Sequence, residues 1–244
     1  RLISSAVILL IMARPRLKGY SGRDWLIVLG FGVSLMTMNW AIYQSFARIP
    51  LGIAVTIEFL GPLSVAVISS RRLTDLIWVL LAGAGVALLG VSKATLSLAG
   101  IAFALLAALG WASYILLSAQ TGRRWPGLTG LALASMVGAI ALAPPAIIEA
   151  GNRILSPTVL ALGVAVGLLS SVIPYSFELM ALRRIPARVF SILMSLEPAA
   201  AAIAAMLVLG EFLNLIQWLA MACVVIASIG ATRTSTTLDQ PAPD

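Results

Sequence analysis

Long apolar runs separated by short polar breaks constrain this chain more than any other feature. Eight runs cover roughly residues 25–47, 51–69, 76–92, 96–119, 127–148, 158–182, 187–209 and 215–232. Each is close to the length that an α-helix needs to cross the hydrocarbon core of a bilayer. A ninth run, residues 2–13, is shorter, and we interpret it as the end of a further spanning helix. The pattern predicts an all-α membrane protein.

The composition supports lipid as the solvent of this chain. Hydrophobic residues make up 61% of it and charged residues 10%, whereas a soluble domain has about 25% charged residues. The chain contains one cysteine and no histidine, which excludes a disulfide framework and disfavours metal or Cys–His chemistry. We therefore expect no metal site, no cofactor and no catalytic residue.

Lysine and arginine residues are distributed unevenly between the two sides of the predicted helices. Twelve lie on one side: Arg14, Arg16, Lys18, Arg23, Arg71, Arg72, Arg123, Arg124, Arg183, Arg184, Arg188 and Arg233. Four lie on the other: Arg1, Arg48, Lys93 and Arg153. The positive-inside rule places the first side and the C-terminus in the cytoplasm. Because the basic residues form no single patch, we expect no nucleic-acid partner.

The chain contains an internal repeat. "ARIPLGIAVTIEFLGPL" aligns with "RRIPARVFSILMSLEPA" at an offset of 136 residues, and the matched helices are five segments apart. An odd separation means that the two copies cross the membrane in opposite directions, as in transporters with inverted repeats. We predict a first repeat over 1–92, a second over 96–232 and a disordered cytoplasmic tail over 233–244. The first repeat shows one helix fewer, so we expect its first helix to precede Arg1.

Two acidic residues lie deep in apolar segments. Glu58 is eight residues past Pro50, roughly 12 Å into the membrane, and Glu197 is eleven past Pro186, roughly 16 Å from the opposite side. Because an acid at a helix centre costs about 2.5–3.5 kcal/mol, each should face the bundle interior or a watery cavity. There it can carry a coupling proton or hold a substrate ammonium. The alternative is a protonated, purely structural carboxyl group.

Prolines accompany these acids. Pro62 and Pro198 lie within one helical turn of Glu58 and Glu197, and Pro174 interrupts another apolar run. Proline has no N–H, so the carbonyl four residues earlier loses its helical partner. We predict helix kinks that open backbone groups towards a cavity, with a bend made only for packing as the alternative.

Polar and aromatic residues on other segments can line the same cavity. The candidates are Asn39, Tyr43, Trp111, Tyr114 and Tyr175. Interfacial anchoring and interhelical hydrogen bonding are the alternatives. Glu178 suits a cytoplasmic gate and an interfacial ion pair almost equally, whereas Glu211 suits a helix N-terminus.

Several of these stretches together resemble a known family. "PLGIAVTIEFLGPL", "SSRR", "PYSFELMAL", "SLEPA" and "LGEFL" are similar to segments of EamA-type proteins of the drug/metabolite transporter superfamily, above all the bacterial threonine/homoserine exporter group. The resemblance covers residues 1 to about 232.

The resemblance implies a ten-helix bacterial inner-membrane protein made of two inverted five-helix repeats, of which this chain lacks the first helix. It implies proton-coupled export of a small polar metabolite, in the first place an amino acid such as threonine or homoserine, and it is compatible with a homodimer. The rivals are efflux of drugs or other metabolites by the same fold, and a membrane sensor or assembly protein that transports nothing.

Overall fold

The computed structural model describes residues 1–15, 17–70, 76–91, 97–151, 156–174, 177 and 193–234. Within these ranges every regular element is helical, which confirms the α-helical class. The α-helices are α1 (Leu2–Ala13), α2 (Gly22–Phe46), α3 (Leu51–Glu58), α4 (Leu60–Ser70), α5 (Leu76–Val91), α6 (Leu98–Gly122), α7 (Thr129–Ala150), α8 (Pro157–Gly167), α9 (Glu197–Leu209) and α10 (Leu215–Thr234).

Four stretches of the described chain are long and apolar enough, by length and composition, to cross a membrane: Gly22–Phe46, Leu98–Gly122, Thr129–Ile148 and Leu215–Arg233. The other helices form apolar segments of 10–17 residues. Large hydrophobic side chains such as Leu98, Ile148 and Val208 are more than four-fifths exposed. In water this exposure would be costly, whereas in lipid it is expected.

Three of the predicted spanning segments are interrupted within the described residues. The segment over 51–69 divides into α3 and α4 at Phe59, and the segment over 158–182 passes from α8 into a π-helical turn, Leu168–Val172. In the segment over 187–209 a turn at Ser195 and Leu196 precedes α9. Each interruption lies within three residues of a proline: Pro62, Pro174 or Pro198. A missing N–H removes one helical hydrogen bond, so the backbone departs from α geometry nearby.

The chain forms two compact units. One comprises Arg1–Thr37 and Ser113–Met180, and the other comprises Met38–Ala112 and Ala181–Asp244. Helices α2 and α6 each contribute one part to each unit. Each unit takes residues from both predicted repeats. The units therefore do not test the repeat boundaries, which stay a prediction from the sequence.

In the first unit, α1 packs on α7 and on α8 with its π-helical turn. Leu9, Ala132 and Val172 form the buried core of this contact. Elsewhere in the unit, Trp125 is fully buried, stacks on Tyr20 at a ring-centroid distance of 3.7 Å and meets Trp25 edge-on. These aromatic contacts fix the connection between α6 and α7 against the beginning of α2.

In the second unit, α10 packs closely along α5, and α9 packs along α3. Glycine residues allow both of these helix pairs to pack closely. A Cβ on Gly85 would lie 2.7 Å from the Ala220 carbonyl oxygen, and one on Gly52 would lie 2.9 Å from Ala202 Cβ. Small residues at a helix interface let the backbones approach, which is how helices gain packing energy in lipid.

Candidate functional site

Glu58 is the last residue of α3, and its side chain is 8% exposed. The whole stretch from Gly52 to Glu58 is buried, so this carboxyl group faces protein and not lipid. Pro62 has no N–H to donate to the Glu58 carbonyl, and the helix breaks at Phe59 between them. The structure therefore places a buried acid at a break in a membrane helix.

Helix α6 lies against this break. The rings of Phe59 and Trp111 meet edge-on, with centroids 5.5 Å apart. Gly61 approaches the α6 backbone so closely that a Cβ there would overlap the Ala108 carbonyl oxygen. The absence of a side chain on Gly61 thus brings the start of α4 onto α6, and this contact positions Trp111 beside the break.

Helix α2 meets the same turn of α6. A Cβ on Gly110 would lie 2.8 Å from the Met38 backbone nitrogen, so the two backbones nearly touch. Asn39, the next residue, is 4% exposed. The turn of α6 over residues 108–111 therefore contacts both the helix that carries Asn39 and the break that follows Glu58. The structure brings these helices together around one turn.

Two predicted site residues of this unit differ from Glu58 and Asn39 in burial. Tyr43 is 45% exposed and has its ring edge-on to Phe46. Glu197 is exposed at the first residue of α9, whereas Pro198 beside it is buried. A carboxylate at a helix N-terminus interacts favourably with the helix dipole, and one at a C-terminus, as Glu58 is, does not. The two acids thus occupy different electrostatic settings.

The first unit carries the remaining predicted residues. Tyr114 is half-buried, and its ring lies 5.1 Å from that of Phe31. Pro174 is exposed and is itself helical, two residues past the end of the π-helical turn. Tyr175 and Glu178 lie outside the described residues. The structure therefore describes Tyr114 and Pro174, whereas the roles of Tyr175 and Glu178 stay predictions from the sequence.

Several interactions were not apparent from the sequence. Glu211 Oε2 accepts a hydrogen bond of 2.8 Å from the Leu51 backbone N–H at the start of α3, so it does serve a helix N-terminus, on another segment. Ser195 and Ser228 share a buried hydrogen bond of 2.9 Å. Single hydroxyl and acid residues give no spacing signal, which is why pattern analysis does not find such pairs.

Within the described residues, no cluster of His, Cys, Asp or Glu side chains could hold a metal ion.

Comparison with known proteins identifies a family and relatives that cover nearly all of this chain. Residues 98–233 match the EamA-like transporter family. The threonine/homoserine exporter RhtA of Salmonella typhimurium (strain LT2) is 42% identical over 237 residues, covering 96% of this chain and 80% of that protein. The threonine/homoserine exporter RhtA of Escherichia coli (strain K12) is 41% identical with the same coverage.

Proposed function

We propose that this chain, which belongs to the EamA-like transporter family, exports threonine, homoserine or close analogues across the bacterial inner membrane. It is a multi-pass membrane protein, and its relatives are exporters rather than enzymes. The observation that carries the proposal is the identity of 41–42% to threonine/homoserine exporters over 96% of the chain. That coverage includes every helix in which a site residue is predicted.

The proposed substrates are zwitterions with a side-chain hydroxyl group. An ammonium group requires an acceptor, ideally an acid, whereas a hydroxyl group is matched by an amide, which both donates and accepts. Glu58 and Asn39 supply these two chemistries from buried positions on helices that contact one turn of α6. Trp111 and Tyr43 supply aromatic groups of the same unit in this proposal, and Tyr114 and Tyr175 stay lining residues predicted from the sequence.

Coupling to protons forms the second part of the proposal. Glu58 is protected from lipid by its burial and can exchange a proton or a substrate ammonium when its surroundings change. Glu197, beside Pro198, is the corresponding acid of the other predicted repeat. In this scheme the repeats rock about the break near Pro62 and the predicted kink at Pro198, Glu178 acts at the cytoplasmic entrance, and the C-terminus is cytoplasmic.

The proposal is tested by uptake of radiolabelled threonine and homoserine into inverted membrane vesicles that contain the full-length protein. We expect uptake that depends on an imposed proton gradient and is inhibited by each unlabelled substrate in excess. Vesicles containing Glu58→Gln at a matched protein level are the control, because glutamine keeps size and hydrogen bonding but cannot ionise. Uptake of a lipophilic dye without any uptake of amino acids would instead indicate drug efflux.

A further inference from the structure

An open cavity lies in the first unit, where the end of α1 meets the beginning of α7. Its volume is about 460 Å³, within the range of about 300–1,000 Å³ that small-molecule sites occupy. Ala13 and Arg14 line it from the end of α1, and Leu128 and Thr129 line it from the beginning of α7. Because Ala13 and Leu128 also pack against the buried core between α1 and α7, helix packing holds these walls in place.

Arg14 supplies a positive charge to the cavity. It is the C-cap of α1 in a left-handed conformation, with φ 43°, and its backbone N–H donates to the Leu10 carbonyl. Within the ranges that the structure describes, its guanidinium forms no ion pair and donates no hydrogen bond. A guanidinium presents its N–H donors in a planar fork that matches the oxygens of a carboxylate or a phosphate. Arg14 therefore offers a charge that no described acid neutralises.

Thr129, the first residue of α7, supplies a buried hydroxyl group. The residue is only 4% exposed, yet it lines the cavity. Its hydroxyl group makes no hydrogen bond to the part of the chain that the structure describes. A buried polar group without a partner is unfavourable, and such groups in folded proteins are nearly always satisfied. Since the exposed part of Thr129 faces the cavity, its missing partner has to be an occupant of that cavity.

The N-terminus of α7 forms part of the same wall and favours an anion. This helix has 22 residues, and no described side chain caps its N-terminus. In its first turn, the Gly130 and Leu131 N–H groups donate to no backbone carbonyl of the described residues. Unpaired N–H groups and the helix dipole together attract negative charge to such an end. A phosphate group carries that charge and accepts several hydrogen bonds at once, from Arg14 and Thr129 alike.

We propose that this cavity binds the phosphate group of an anionic phospholipid from the cytoplasmic leaflet. The distribution of lysine and arginine assigns Arg14 to the cytoplasmic side, where basic pockets between membrane helices bind such headgroups. Met12 also lines the cavity and is 55% exposed. With Leu128 it provides apolar surface for the glycerol and acyl carbons of a lipid, which free phosphate lacks. The inference does not depend on which substrate is exported.

Thermal unfolding of the purified full-length protein in detergent tests the proposal. Phosphatidylglycerol, phosphatidylcholine and inorganic phosphate are added separately over the same concentration range. We expect phosphatidylglycerol to raise the unfolding temperature to a plateau, and the other two to leave it unchanged. No rise with phosphatidylglycerol, or an equal rise with phosphatidylcholine, would overturn the anion site. An equal rise with inorganic phosphate would overturn the assignment to a lipid.

Two variants test whether the lipid binds in this cavity. Arg14→Gln removes the charge and should raise the phosphatidylglycerol concentration at half-maximal effect about tenfold. Thr129→Val removes the hydroxyl group, keeps the shape and should raise it about threefold. The variants act independently, so poor folding of one leaves the other as the test.

Arg23→Gln is the matched control, because Arg23 is exposed on the same predicted side and does not line the cavity. Its half-maximal concentration should stay within about twofold of the parent value, since exposed charges contribute little. Unchanged values for Arg14→Gln and Thr129→Val would overturn the site. A shift for Arg23→Gln as large as that for Arg14→Gln would show general attraction to a basic surface and would also overturn it.

Discussion

The Glu211 carboxylate accepts a hydrogen bond from the Leu51 backbone N–H at 2.8 Å. The two residues are 160 positions apart, yet the pair joins the loop after α9 to the first residue of α3. The first turn of a helix has backbone N–H groups without helical partners, and an anion there also interacts favourably with the helix dipole. Glu211 thereby fixes the start of the helix that ends at Glu58.

We expect Glu211→Ala to destabilise the protein by about 1 kcal/mol, the usual cost of losing a side chain that caps a helix N-terminus. Glu211→Gln should cost less, because its amide oxygen still accepts from Leu51. Thermal unfolding of both purified variants in detergent measures the difference. Equal stability of the Ala variant and the parent protein would show that this hydrogen bond contributes nothing measurable.

Glu58→Gln should lower gradient-driven export by an order of magnitude or more while the protein level in the membrane stays near normal. The buried carboxyl group is the proposed carrier of the proton or the ammonium group, and glutamine cannot ionise. Export assays across a range of external pH, normalised to membrane protein, measure this effect.

Two matched variants accompany that test. Glu197→Gln changes the other acid that the sequence predicts to lie within the membrane, and we expect it to reduce export as well if both acids take part in coupling. Glu211→Gln makes the same chemical change away from the site and should keep export within about twofold of the parent. Normal transport with unchanged pH dependence in both the Glu58 and Glu197 variants would mean that the two acids are protonated structural groups.

Gly61→Ala should be strongly unfavourable, because the added methyl group would overlap the Ala108 carbonyl oxygen on α6. Overpacking of this kind typically costs about 1–3 kcal/mol. Gly83→Ala is the control: it is also helical, and no atom lies within 4 Å of the added methyl group. We expect Gly83→Ala to be neutral or stabilising, by at most about 1 kcal/mol. Thermal unfolding and folded yield distinguish the two, and similar stabilities would argue against close α4–α6 packing.

The distribution of lysine and arginine predicts that the C-terminus is cytoplasmic. Green fluorescent protein fused after Asp244 of the full-length protein should fluoresce, whereas alkaline phosphatase at the same place should be inactive. A second pair of fusions near Lys93, on the predicted opposite side, should give the reverse result. An active phosphatase after Asp244 would show that the orientation is inverted.

The sequence alone was sufficient to predict the helical class and the membrane setting, because both depend on local composition and run length. A run of apolar residues can satisfy its backbone in lipid only as a helix, whatever its neighbours are. The sequence also identified Glu58 as a candidate functional residue, since placing an acid in any apolar spanning segment costs free energy. The family resemblance carried by motifs such as "EFLGPL" and "SLEPA" was confirmed by the comparisons with known proteins.

Only the tertiary structure decided which residues meet and which are buried. Hydropathy treats Glu58 and Glu197 alike, but packing buries the first and exposes the second. Likewise, no sequence pattern links Arg1 to Ser170, and the hydrogen bond of 2.7 Å from Arg1 Nη2 to the Ser170 carbonyl oxygen follows from how α1 packs on that segment. Partners separated by more than 150 residues leave no periodic trace in one sequence, because their contact depends on the free energy of helix packing and not on local preference.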